Sequence, residues 1–162
     1  MIKQPGSKMC FVCGGNNPIG LHAEFYVDGE EIFTEFVPRE EHQGYPGIMH
    51  GGLQSTMLDE TIGRAAFLKR LWMVTARMEV TYRVPVPIGQ KIRVTGRIQE
   101  VRGRTMIATG QIVLGDGTVA VEARGLYVQI PEERRREVER LVFGREIPSL
   151  EYLLELEAQQ EA

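Results

Sequence analysis

The sequence predicts an α+β domain in which an antiparallel sheet curls around one central helix, followed by a charged helical tail. Three observations carry this. An apolar helical stretch begins at Gly51, runs of period-two alternation flank it on both sides, and the connections between the later runs are too short for parallel crossovers. Two strands, a helix and four more strands then make one sheet around one core. The 162 residues, 43% hydrophobic and 25% charged, suit a single domain.

The first run, LHAEFYVDGEEIFTEF from Leu21 to Phe36, alternates apolar and polar residues and turns at Asp28-Gly29, a dipeptide favoured in tight hairpins. The next stretch, PREEHQGYPGIMHGG, holds two prolines and four glycines, which leaves a long loop of the kind that carries function. From Gly51 to about Leu71, the residues Leu53, Met57, Leu58, Ile62, Ala65, Ala66 and Leu68 cover much of a helical circumference. That helix is expected to be buried on most sides. Beyond Trp72 the period becomes two, with Val74, Ala76, Met78, Val80, Tyr82 and Val84 alternating strictly with Thr75, Arg77, Glu79, Thr81 and Arg83. This predicts a strand with one wet face. Runs near 91–101, 105–114 and 118–130 follow across the turns Arg102-Gly103-Arg104 and Asp116-Gly117, as in an antiparallel meander. In the last run the apolar phase passes from Val119, Val121 and Ala123 to Leu126, Val128 and Ile130, which places a bulge at Gly125. Pro131 ends the sheet. The expected domain is therefore 1–131, opening on a CxxC segment within 1–20, and the tail of 132–162 reads as two helical pieces broken near Gly144 and Pro148.

The formal charge of -3, with no basic run, argues against nucleic acid as a partner. No apolar run reaches membrane-span length, and MIKQPGSKMC lacks a signal-like apolar stretch, so no membrane partner and a cytoplasmic location are expected. Only Cys10 and Cys13 are present, too few for a disulfide framework. A sheet of this size covers one side of an all-round apolar helix. A second copy is expected to cover the rest, giving a homo-oligomer, either a dimer or a dimer of dimers.

The chemistry concentrates in IMHGGLQSTMLDETIG. His50-Gly51-Gly52 stands where the helix begins, where free amides and the positive end of the dipole meet and no β-carbon blocks an approaching oxygen. Two readings stand: an oxyanion site, or glycines chosen only for the geometry of the turn. Asp59 shares a helical face with Gly52, Ser55, Thr56, Gly63 and Ala66, so its carboxylate borders open space. It reads either as a general base or as a structural aspartate capped by a partner. Glu60 precedes Arg64 by four residues, the order of a surface ion pair. Eight residues of helix separate Gly51 from Asp59 by roughly 12 Å. Both could serve one carbonyl only if they came from different subunits.

These segments resemble the hotdog-fold thioesterases of the phenylacetate-pathway and acyl-CoA type, over roughly residues 10 to 131. His50-Gly51-Gly52-Leu53 through Asp59-Glu60 is similar to that family's active-site helix, VTARMEVTYRVPVPIGQKI to the strand after it, and CFVCGGNNPIGL to an N-terminal element of one branch. The resemblance implies that the glycine matching Gly51 polarises a thioester carbonyl. It implies that the aspartate matching Asp59, from the partner subunit, acts as nucleophile or general base. Thr75 matches a serine or threonine of the following strand, Gly52 extends the glycine turn, and His50 supports either that turn or the substrate carbonyl. The tail beyond Pro131 has no counterpart in short members.

The expected function is hydrolysis of an acyl-CoA to acid and CoA, with acyl-CoA as the partner molecule and no metal or organic cofactor. Two rivals remain: a hydratase or dehydratase using a histidine and a carboxylate, and an acyl-CoA-binding module without turnover. The Cys10-x₂-Cys13 spacing also suits zinc or a redox pair. The chain offers no second pair of cysteines, and His22 and His42 are not spaced to replace one, so a packed turn supported by Asn16, Asn17, Pro18 and Gly20 is expected.

Overall fold

A computed structural model describes residues 1–143. Its strands are β1 (Ile2–Lys3), β2 (Tyr26–Asp28), β3 (Glu31–Phe36), β4 (Met73–Tyr82), β5 (Ile92–Arg102), β6 (Thr105–Val113) and β7 (Val119–Gln129), and its helices are α1 (Gly51–Arg64) and α2 (Glu132–Phe143). The strands form one antiparallel sheet in the order β1-β2-β3-β5-β6-β7-β4. The expected sheet around one helix is therefore present. Its first hairpin is shorter than the alternation suggested, since Asp28 pairs with Glu31 across Gly29-Glu30 and the stretch 21–25 joins no strand. Leu21, Ala23 and Phe25 are nevertheless buried, which accounts for the apolar signal there. The two-residue β1, too short to show a period, adds an edge beside β2.

Helix α1 lies across the face of the sheet and runs on through a 3₁₀ turn, Ala65–Lys69, to a left-handed cap at Arg70. Met57, Leu58 and Ile62 are fully buried with Val94, Met106, Ala108, Ile112 and Val121. The helix sits close because the paired residues Gly96 of β5 and Gly110 of β6 carry no side chains beneath it. A β-carbon on Gly96 would stand 2.6 Å from the Thr61 carbonyl oxygen, and one on Gly110 would stand 2.6 Å from Ile62 Cγ1. Neither approach is tolerable without moving backbone or core.

Strand β4 departs from the expected regular alternation. Thr75 pairs with Tyr127 and Arg77 with Leu126, so Ala76 is an extra residue and the strand bulges there. β4 is also the last strand of the sheet, paired only with β7. Val74 and Tyr82 are 55% and 50% exposed, so apolar side chains of this edge strand are not covered within one chain. The bulge expected at Gly125 is absent. From Val121 onward β7 holds a single phase in which Val121, Ala123 and Tyr127 are buried, while Leu126 is 37% exposed; its one register shift lies earlier, at Ala120 opposite β6. Gly125 is required for another reason: a β-carbon there would lie 2.4 Å from Tyr127 Cε2, because the tyrosine ring folds back over it.

The first piece of the tail is α2. Its Glu139 is buried and accepts hydrogen bonds from Trp72 Nε1 at 2.9 Å and Arg135 at 2.7 Å, which docks the helix beside the end of the α1 segment. The second expected piece, near Pro148, lies outside the described residues. No described helix is long and apolar enough to cross a membrane.

Gly96→Ala and Gly110→Ala should each lower stability by about 1–3 kcal/mol in urea unfolding, the range for overpacking a filled core. Gly115→Ala, whose added carbon would meet nothing nearer than 3.9 Å, should stay within about 0.5 kcal/mol of the parent. Equal tolerance at all three positions would show that the helix has room to lift.

Candidate active site

The start of α1 is built by its cap. His50 has extended backbone (φ -58, ψ 132), and its Nδ1 accepts a hydrogen bond from the Gly52 amide at 2.9 Å. The Leu53 and Gln54 amides both donate to the His50 carbonyl, at 3.0 and 3.1 Å. Among the first helical amides, Gly51 is the one with no acceptor among the described residues. The open donor expected of an oxyanion site is thus the Gly51 N–H. His50 is exposed and serves the turn, and Gly52 gives its amide to His50. Tyr82 closes the other side, donating its hydroxyl hydrogen to the Gly51 carbonyl at 3.0 Å while its hydroxyl also meets Ser55 Oγ.

Two turns along the same helix, Asp59 is half-buried and accepts a hydrogen bond on Oδ1 from Thr75 Oγ1 at 2.6 Å. The pair borders a cleft of about 310 Å³ whose walls include Gly63, Phe67, Val74 and Tyr127. The buried Tyr127 hydroxyl has no hydrogen-bond partner among the described residues. Burial, then the Asp59 charge, push its pKa well above the usual phenol range, and the neighbouring Thr75 offsets part of that. The phenol therefore stays protonated and is a potential donor beside the carboxylate.

The bulge in β4 joins these two regions. Thr75 and Tyr82 are an odd number of residues apart, which in a regular strand would send them to opposite faces. The extra residue at Ala76 restores the phase, so Thr75 reaches Asp59 and Tyr82 reaches Gly51. One strand thereby contacts α1 both at its first residue and two turns later.

Glu60 and Arg64 do pair, at 2.9 Å, but not on the surface. Arg64 is only 3% exposed, lies over the Phe25 ring at 4.3 Å and also donates to Gln4 Oε1 and the Pro5 carbonyl. The pair pins the N-terminal segment onto the helix. Glu60 Oε2 faces the Cys10 thiol at 3.8 Å, and the sulfurs of Cys10 and Cys13 with a Glu60 oxygen lie within 4.8 Å of one another. Among the described residues this is the single cluster of metal-ligand type. It offers three donors where a closed zinc site needs four, and Arg64 already holds the other carboxylate oxygen.

Asp59, Thr75 and the Gly51 amide occupy the places their sequence context suggests. Tyr127 and Tyr82 were missed. Gly125-x-Tyr127 does carry a usable signal, because a glycine two residues before an aromatic on one strand face can mark a ring folded over it. Tyr82 had none, since its direction depends on the bulge.

A family model, the thioesterase superfamily, matches residues 46–121. Acyl-coenzyme A thioesterase THEM4 of Mus musculus is 31% identical over 115 residues, which is 70% of this chain and 50% of that protein. The chain thus spans about half the length of the curated relatives it first matches. A crystal structure of a thioesterase superfamily protein superposes with a TM-score of 0.71 at 27% identity, covering 75% of this chain and 63% of that one. The PaaI protein of the E. coli phenylacetic acid degradation operon superposes with a TM-score of 0.64 at 16% identity, over 68% of this chain and 81% of that one, a likeness of fold. Residues 46–121, at the heart of this sheet and its central helix, thus match the thioesterase superfamily, and the fold is the hotdog fold of the thioesterases on which it superposes.

Proposed function

We propose that the protein hydrolyses acyl-CoA thioesters, with the Gly51 amide of one subunit and Asp59 of the partner subunit acting on one carbonyl. The observation that carries this is the division of labour along α1: an unoccupied glycine amide at its start and a carboxylate oriented by Thr75 two turns later. About 12 Å of helix separates them. The exposed outer edge of β4, with Val74 and Tyr82 uncovered, supplies a surface on which a second copy would complete both sites. THEM4 of Mus musculus, by its name, acts on acyl-coenzyme A, and that substrate class suits a cleft with Phe67 and Val74 beside the carboxylate.

In this reading the Gly51 N–H donates to the thioester oxygen, where negative charge develops. Thr75 occupies Oδ1 of Asp59 and leaves Oδ2 for chemistry. As a general base, Oδ2 takes a proton from water while the water oxygen attacks the carbonyl carbon. The C–S bond then breaks, and the departing CoA thiolate takes up a proton. Direct attack by the carboxylate through an anhydride uses the same geometry. A hydratase reading fares worse. With Nδ1 accepting from Gly52, the neutral His50 ring carries its hydrogen on Nε2, and no free basic nitrogen remains for an α-proton.

Asp59→Asn should lower kcat by roughly 10²-fold or more with the melting temperature little changed, the scale of a lost general base. Thr75→Ala should cost about 10- to 100-fold, from the roughly 1.5–3 kcal/mol of a hydrogen bond to a charged group. Glu60→Gln should retain more turnover than Asp59→Asn. An Asp59→Asn enzyme with parental kcat would remove Asp59 from the chemistry and point to a Glu60-centred mechanism. His50→Ala should lower stability by about 1 kcal/mol, while His50→Asn, a good helix cap, should restore both stability and turnover. Loss of turnover in a stable His50→Asn variant would give His50 a direct part in the chemistry.

A further inference from the structure

The N-terminal turn carries two thiols that thioester hydrolysis does not use. Residues 10–14 form one helical turn, closed by the Gly14 amide on the Cys10 carbonyl at 2.8 Å. Cys13 is buried and Cys10 is half-exposed, so only one sulfur is open to a bulky reagent. Both sulfurs receive backbone donors at 3.4 Å, Cys10 from Val12 N–H and Cys13 from Ser7 N–H, an arrangement that favours charge on sulfur. Glu60 faces the pair with one carboxylate oxygen, its other oxygen being held by Arg64.

We propose that Cys10 and Cys13 form a thiol–disulfide exchange site for low-molecular-weight disulfides, with Cys10 as the attacking sulfur, Cys13 as the resolving sulfur and Glu60 as the proton acceptor. In the first step the Cys10 thiolate attacks one sulfur of the small disulfide. A mixed disulfide forms and one small thiolate leaves. In the second, the Cys13 thiol gives its proton to Glu60 and its sulfur attacks Cys10, forming the Cys10–Cys13 bond and releasing the second small thiolate, which accepts the proton. Two cysteines lose two electrons, and one small disulfide becomes two thiols.

The asymmetry of the pair fits these roles. The hydrogen bond from Cys13 draws the Cys10 thiol down to about 6, against the opposing effects of burial and of the Glu60 charge. That bond and burial push Cys13 well above the ordinary thiol range, with the Arg64 charge pulling the other way. At neutral pH the exposed sulfur is the nucleophile, and the buried one needs a base at hand.

The test exposes the full chain, purified reduced, to glutathione disulfide and follows it by intact mass after acid quenching. The parent should lose two hydrogens and retain no adduct. Cys13→Ser should stop at one glutathione on Cys10, and Cys10→Ser should react at least about tenfold more slowly. Glu60→Gln should form the adduct normally but close to the disulfide about tenfold more slowly or worse, the lower range of a lost proton acceptor. Adduct formation should rise with pH through a midpoint near 6. Adduct appearing first on Cys13 would overturn the assignment, as would thiols that stay reduced when folded yet react when unfolded. One zinc per chain that shields both thiols would overturn it as well.

Discussion

Everything at the candidate site depends on how closely α1 lies on the sheet, and that closeness exists because Gly96 and Gly110 are paired beneath Thr61 and Ile62. With side chains at those positions the helix would stand off and its buried face would lose contact with β5 and β6. The seat fixes the distance from Asp59 to β4, and hence the Thr75–Asp59 hydrogen bond. The sheet side of α1 is filled by Met57, Leu58 and Ile62, whereas Asp59 and Gly63 border the cleft.

The second constraint is the bulge at Ala76. It costs β4 a regular ladder but lets one strand reach two separate turns of the helix, with Thr75 at the carboxylate and Tyr82 at the glycine turn. Irregular strands are retained where they re-aim a side chain, and this one re-aims everything beyond it. Opposite the bulge, Tyr127 folds over Gly125 and brings its unpaired hydroxyl toward the same carboxylate. Pocket wall and strand irregularity are therefore one local structure.

Long-period features were legible in the sequence, and features set by one residue's phase were not. The apolar circumference of 51–71 and the meander of 91–130 depend on many residues each, and both correspond to the fold. A bulge was assigned to Gly125 because glycine is a common bulge residue, whereas the extra residue of the β4–β7 ladder is an alanine in the partner strand. The Glu60–Arg64 pair followed from helical spacing, but its burial could not, since it depends on Gln4, Pro5 and Phe25 arriving from the N-terminal segment. Glu60 beside Cys10 and Cys13 was hidden for the same reason: the contact spans fifty residues of sequence.

Within one chain the open amide and the oriented carboxylate are too far apart to share a carbonyl, so the central claim is that each reacting centre combines two subunits. Co-expression of two inactive chains tests this directly. Gly51→Pro removes only the helix's first amide, at a position where proline is favoured, and His50 already has the extended backbone a following proline requires. Asp59→Asn removes the carboxylate. Each chain alone should be nearly inactive, while random pairing should restore about a quarter of parental turnover, because half of the dimers would be mixed and each mixed dimer would hold one complete site of two. Mixed dimers, isolated by two affinity tags, that stay as inactive as either parent would contradict a shared site.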